Sequence, residues 1–384
     1  MYNMSNGDLR VADFVPFYCA GKIVLSGQAE HAYNYDVRMK ISKELVAPHA
    51  LAHPFLLQYP PFVFLLMTPF AALPLIPAYY LWCIFTVAFG VVSIHLFLYH
   101  HMRWQLQYIA LLCLITLCSL VSVLNLYIGQ VGWLLIGLNA LFFWGLLANR
   151  DKMGGIALAL TTIKPQYSIV YIGAVLGLRR WRLLAYALLT EMALFLSTAL
   201  VLGWQTVSQY PQLLTHTETV DNTITCMTSV RPLLEMLLPH VLAIEINMVV
   251  LIMGIIGIMA LFHANRNSIP PILNCMVAIT VLTALIVSPH THCHDLLLIA
   301  LPAAMLPINI LWKETDTGQW GKIWAVLISF FPFIGFLFFV MSNTGPWSRW
   351  PFFLYDVILL ALACNFLRFL KNPNSSLKSS PGKQ

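Results

Sequence analysis

Apolar runs of roughly twenty residues, separated by short polar breaks, recur along most of this chain. A helix needs about 20 apolar residues to cross the hydrocarbon core of a bilayer. The pattern predicts spans over 78–99, 105–126, 130–148, 183–203, 239–262, 271–288, 295–312, 323–341 and 351–370. Ahead of them, YPPFVFLLMTPFAALPLIP from Tyr59 is apolar but carries five prolines, so it reads as a broken, interfacial or re-entrant approach to the first span. No short segments alternate between apolar and polar residues as a membrane barrel requires. The expected fold is an all-α polytopic membrane protein.

Residues 154–178 read either as one kinked span or as two short helices turning at Lys164-Pro165-Gln166. Charge decides between them. Only a hairpin gathers Arg103, Arg150, Lys152, Arg179, Arg180, Arg182, Arg266, Lys313, Lys322, Arg368, Lys371, Lys378 and Lys383 on one side, and the positive-inside rule assigns that side to the cytoplasm. With the hairpin counted as two, the chain makes about eleven crossings. The opposite face receives residues 1–60, the turn Asn125 to Gln130, the Lys164 turn, a loop over 204–238, the motif Ser288 to Asp295, and Ser342 to Trp350. Trp204, Trp347 and Trp350 form an aromatic belt there. The domain reading is therefore an extracytoplasmic loop over 1–60, a transmembrane domain over 61–370, and a disordered Ser-, Pro- and Lys-rich tail over 371–384. A polar 60-residue segment without a signal peptide is awkward to export, which leads us to expect a further helix ahead of it in the complete pattern.

Composition supports this class and excludes others. Only 9% of residues are charged, against about a quarter in soluble domains, and mean hydropathy is +0.78. The net charge of +6 is spread in small groups at the ends of apolar runs, so it marks topology and not a nucleic-acid surface. The eight cysteines show no disulfide spacing.

The candidate chemistry concentrates on the extracytoplasmic face. Ser288-Pro289-His290-Thr291-His292-Cys293-His294-Asp295 sets three histidines, a cysteine and a carboxylate between two hydrocarbon runs, a costly placement that points to function. His290, His292 and His294 fit a metal site, hydrogen bonding to a phosphate or sugar, or proton relay; no second cluster with ligand spacing supports the metal. Asp295 fits a helix cap. Asp13, in VADFVPFYCAG, reads as a general base for a hydroxyl or as a helix-capping acid, with Asp8 its competitor. Lys164 has no carboxylate nearby in sequence and so calls for an anion such as a lipid-linked phosphate, or else snorkels to the surface. Gln166 beside it, with Arg231 and Arg349, are further substrate-binding candidates. Gln130 either binds a sugar hydroxyl or satisfies loose backbone ends in its turn, and Tyr59-Pro60-Pro61 reads as structural. Glu191, mid-span, is a proton-relay group or a protonated hydrogen-bonding one.

Taken in order, DFVPFYCAGKIVLSG, YPPF before a span, the Gly129-Gln130 turn, the Lys164-Pro165-Gln166 hairpin followed by Arg179-Arg180-Trp181-Arg182, and Ser288 to Leu298 resemble the membrane glycosyltransferases of family 87 over about residues 8–310. That family includes polyprenyl-phosphate-mannose-dependent α-mannosyltransferases. The resemblance implies a GT-C helical bundle in a membrane, expected here to be a bacterial inner membrane with its site facing the periplasm or exterior. It implies an inverting hexose transfer, mannose first, from a polyprenyl-phosphate sugar to a glycolipid, polysaccharide or protein acceptor, without cofactor or metal. Asp13 would then be the base, with the histidine motif beside the donor phosphate and Lys164 a second cation. The chain departs from the family pattern in lacking a leading helix before the acid. The alternative is a transporter or flippase of a lipid-linked or small anionic substrate, for which the hairpin is a broken element with no counterpart in the other half.

Overall fold

The computed structural model describes residues 13–47, 59–216 and 227–311, with scattered positions between 357 and 367. Among the described residues there is no strand; one isolated antiparallel bridge joins Met227 to His292. The chain opens with α1 (Phe14–Leu25) and α2 (Tyr35–Val46), then α3 (Phe62–Ala71) and α4 (Leu75–His100). The proline-rich approach is broken as its sequence suggested: Pro69 lies inside α3, and α4 starts afresh after Pro74. The stretch expected as a polar outer loop is helical from Phe14, and Phe14, Phe17 and Ile23 are fully buried. α1 lies along α3. Tyr18 donates to the carbonyl of Leu73 (2.7 Å) and Tyr33 to that of Tyr59 (3.1 Å).

The span expected over 105–126 is divided. α5 (Leu106–Cys118) and α6 (Leu120–Ile128) meet at a 60° bend, where Ser119 takes an extended backbone and its hydroxyl caps α6 by accepting from the Ser122 N–H. α6 ends on Gly129 at φ 74°, a left-handed turn that favours glycine. A Cβ there would also stand 2.5 Å from that of Phe14, so the glycine admits the start of α1 against the turn. α7 (Gly132–Leu147) follows, with every residue buried except Leu141 and Leu147. It is the central helix of the bundle.

The ambiguous segment is a hairpin. α8 (Asp151–Leu160), a 3-10 turn Thr161–Ile163, and α9 (Pro165–Gly177) precede α10 (Trp181–Leu202). The Arg180 guanidinium bonds the Asp151 carboxylate (Nε, 3.0 Å) and the Leu146 carbonyl (2.8 Å). The end of α7, the start of α8, the end of α9 and the start of α10 therefore share one end of the bundle, together with Arg150, Arg179 and Arg180. The turn at Lys164 points to the other end. Ten helical residues rise only about 15 Å, roughly half of a hydrocarbon core, so the hairpin delivers a lysine into the interior.

Beyond these come α11 (Trp204–His216), α12 (Val230–Leu237), α13 (His240–Ala264) and α14 (Pro270–Val287), then a 3-10 segment Cys293–Ile299 and α15 (Ala300–Leu311). The loop expected over 204–238 is thus helical at both ends. α4, α10 and α13 are each long and apolar enough to cross a membrane, and the bent α5–α6 pair makes a fourth if counted as one span. The expected spans over 130–148, 271–288 and 295–312 correspond to shorter apolar helices. The span over 323–341, most of 351–370, and the tail lie outside the described residues.

α7 and α8 cross with Gly145 against the backbone of Gly154, which a Cβ at either position would overlap or crowd. Gly154→Leu is expected to destabilise the fold by about 1–3 kcal/mol through overpacking. Unfolding in detergent micelles measures it; an unchanged midpoint would contradict the close crossing.

Candidate active site

The site is built around the hairpin tip. Lys164 follows the 3-10 turn with a non-helical backbone (φ −129°, ψ 85°), and Pro165 at the first position of α9 fixes the reversal. Its ammonium forms an ion pair with Asp295 Oδ1 and lies 3.2 Å from His294 Nε2. Lys164 is 6% exposed and Asp295 1%. Removing two charges from water this completely costs several kcal/mol each, and the cost is offset only by mutual attraction and further hydrogen bonds. Asp295 obtains one more: its Oδ2 accepts from the backbone N–H of His292 (3.1 Å), as the third residue of a capping box on the 3-10 segment.

The loop from Ser288 to Asp295 is held at almost every residue. Asn247 on α13 donates to the carbonyl of Val287 (3.1 Å), Arg231 on α12 to that of Pro289 (3.3 Å), and Gln166 on α9 to that of His290 (3.0 Å). The Thr228 N–H donates to the Thr291 carbonyl (2.8 Å), and Asn125 on α6 to that of His294 (3.4 Å). Pinned this way, the loop brings its alternating histidines together. His290 and His292 meet at Nε2 (2.9 Å), and the rings of His292 and His294 stack at 5.3 Å. Burial above all drives both His292 and His294 down to about 3, helped by the charge of Lys164 and of a neighbouring histidine (His294 for His292, His290 for His294), against the opposing pull of Asp295. Both are therefore neutral near pH 7, able to donate one hydrogen bond each.

Asp13 enters from the α1 side. It occupies the N-cap position of α1, yet its side chain makes no capping bond. The carboxylate instead accepts from Gln130 Nε2 (2.9 Å) in the α6–α7 turn. The Gln130 carbonyl is fixed in turn by the Tyr59 hydroxyl (3.0 Å) and the Val131 N–H (3.4 Å). Burial raises the Asp13 pKa above the ordinary carboxylate value; the Gln130 hydrogen bond and the attraction of Lys164 oppose that rise, and Asp295 adds to it. The α6–α7 turn thus grips both halves of the site, Asp13 through Gln130 and the histidine loop through Asn125.

The sequence model of glycosyltransferase family 87 matches residues 55–289, more than half of the chain. This chain belongs to glycosyltransferase family 87. No curated protein and no solved structure matches it. Family membership makes it a transferase and not the transporter of the alternative reading. The matched stretch contains Gln130, Lys164 and Gln166, but it begins after Asp13 and stops at Pro289. Asp13 and the histidines therefore join the family's region by contact: Gln130 holds the one, Lys164 and Gln166 the others.

Against this geometry several expectations change. The anion that Lys164 lacks in its neighbouring sequence is supplied by Asp295, 131 residues away, so the lysine neither snorkels nor waits for a phosphate to balance it. Arg231, read as a phosphate ligand, pairs with Glu235 (2.8 Å) on its own helix and braces the histidine loop. Gln166 likewise spends its amide on that loop. Gln130, expected to serve a sugar or loose backbone, orients the candidate base. Tyr59, read as structural, fixes the Gln130 amide. Glu191 faces Thr162 in the turn before Lys164. Among the described residues no three His, Cys, Asp or Glu side chains converge as a metal-ligand set. Arg349 and Asp8 lie outside the described residues.

Asp295 could have been found from charge alone. It and Lys164 are acid and base in otherwise apolar surroundings, and such residues usually pair with one another. Lys164→Met, which strands the Asp295 carboxylate, is expected to cost about 3–5 kcal/mol. Lys164→Met combined with Asp295→Asn, which keeps an acceptor for the His292 N–H, should regain most of that loss in the same unfolding measurement. A double variant as unstable as the single one would show that the pair is not coupled.

Proposed function

We propose that this glycosyltransferase moves a hexose, with mannose the first to test, from a polyprenyl-phosphate sugar to an acceptor hydroxyl, inverting the anomeric centre. In this reading the site faces the outer side of a bacterial inner membrane and the acceptor is a glycolipid, a polysaccharide or a protein. The observation that carries it is the Asp13 carboxylate, which leaves its helix uncapped and is instead fixed by Gln130, within electrostatic reach of the Lys164 and Asp295 pair. A base and a cationic donor in one recess are what the reaction needs.

The step balances with these groups. The acceptor hydroxyl gives its proton to Asp13 as its oxygen bonds the anomeric carbon from the face opposite the phosphate. The bond from that carbon to the phosphate oxygen breaks, and its electron pair stays on the polyprenyl phosphate, which passes from one negative charge to two. Asp13 becomes neutral, so the charge of the whole is unchanged. An ammonium has three N–H donors. With Asp295 and His294 engaging two, one remains on Lys164 to meet the developing charge, and the neutral histidines can each offer an N–H beside it. A phosphodiester at this depth suits a lipid-borne donor, whose tail stays in the bilayer while its head enters the bundle.

Asp13→Asn is expected to lower transfer from a labelled polyprenyl-phosphate sugar by about 10²–10⁴-fold in protein reconstituted in lipid; transfer at the wild-type rate would remove Asp13 from the chemistry. The pH dependence carries a sign. The base works as carboxylate and its pKa is raised, so kcat/KM should fall on the acid side through a value above the usual ~3.9. Gln130→Leu deletes a donor that favours the carboxylate, so that acid limb should move further up in pH. A limb that stays put or moves down would contradict the Gln130 contact.

A further inference from the structure

A second feature lies at the other end of the bundle, away from the hairpin tip. A cavity of about 590 Å³ runs along one face of α8. Phe89 of α4, Leu138 and Leu141 of α7, and Met153, Ile156 and Leu160 of α8 line it with hydrocarbon, while Arg150, Asp151 and Lys152 stand together at one end. Asp151, between them in sequence, is already neutralised by Arg180. The Arg150 guanidinium carbon lies over the Trp144 ring, 4.4 Å from its centroid, and Lys152 is exposed. Neither pairs with a carboxylate among the described residues. The cavity therefore presents an apolar trough with two uncompensated cations at its mouth.

Dimensions and charge select the occupant. The trough follows α8, which rises about 15 Å, the thickness of one leaflet's hydrocarbon. A fatty chain entering at the mouth and ending near Leu160 would match it in length, and the group at its head would lie on Arg150 and Lys152. Basic pockets between membrane helices attract anionic lipid heads for this reason. We infer that this trough is a binding site for an anionic phospholipid of the leaflet at the basic end of the bundle, its phosphate on Arg150 and Lys152 and one acyl chain along α8. The occupant wedges the stem of the hairpin whose tip carries Lys164, and the site is independent of the reaction proposed above.

Native mass spectrometry of the full chain in detergent, with added phosphatidylglycerol or phosphatidylcholine, tests this. Wild type should retain one phosphatidylglycerol more strongly than phosphatidylcholine, and Lys152→Gln should reduce that preference roughly five-fold, as expected for one cation near a lipid head. Lys152 is exposed and unpaired, so this variant should fold. Ile156→Trp, which fills the trough, should weaken retention of either lipid. Equal retention of the two lipids by wild type, or an unchanged preference in Lys152→Gln, would overturn the inference. So would equally effective displacement by glycerol phosphate, which has no chain, because the site would then recognise phosphate alone. Displacement by polyprenyl phosphate at lower concentration than by phosphatidylglycerol would identify the trough as the donor's tail channel and also overturn it.

Discussion

The ion pair of Lys164 with Asp295 is the interaction on which the rest of this structure depends. A charged lysine at the tip of an apolar hairpin cannot stay there alone. Its partner comes from the loop after α14, so forming the pair ties the α8–α9 hairpin to the last described helices. The histidine loop is then held from several sides: Arg231 on α12, Gln166 on α9 and Asn125 on α6 bind its backbone, and Asn247 on α13 binds the Val287 carbonyl at its entry. Three helices distant in sequence, α6, α9 and α12, converge on these eight residues, and α13 holds Val287 just ahead of them.

Under the function proposed here, the pair also lets a site for an anionic substrate rest without its substrate. An isolated buried ammonium would shed its proton or draw in water. Asp295 supplies the opposite charge at the hairpin tip, while in the proposed reaction the third ammonium donor and the neutral histidines leave capacity for a phosphate that arrives with one negative charge and departs with two. Asp13 is kept apart from this cluster by belonging to α1, and the α6–α7 turn sets the spacing between them.

Much of the architecture was legible in the chain, for physical reasons. Spans such as α4, α10 and α13 declare themselves through uninterrupted hydrocarbon, and the hairpin through the distribution of arginines, since only one folding of 154–178 puts Arg150 and Arg180 on the same side. Breaks were harder. The bend at Ser119 arises from a side-chain cap inside an apolar run, which hydropathy does not register. In the site, the types of residue were visible but not their partners. Asp13 was legible as base or cap; its side chain leaves the cap unmade for Gln130, 117 residues away, a partner that no local pattern announces. Lys164 read as a group in want of an anion because its sequence neighbours supply none, and the fold brings it Asp295; Arg231 read in the same way, and its carboxylate, Glu235, lies one helical turn further on. Tyr59 looked like part of a rigid proline turn and is also the residue that fixes the Gln130 amide.

The most direct test of the central claim is a structure of the full chain with a polyprenyl phosphate bound. The account predicts the phosphate at the hairpin tip, with an oxygen at hydrogen-bonding distance, about 3 Å, from Lys164 Nζ and the Lys164 and Asp295 pair intact. Asp13 should face the side from which an acceptor would approach. A phosphate seated on Arg150 and Lys152, or anywhere beyond reach of Lys164, would contradict it.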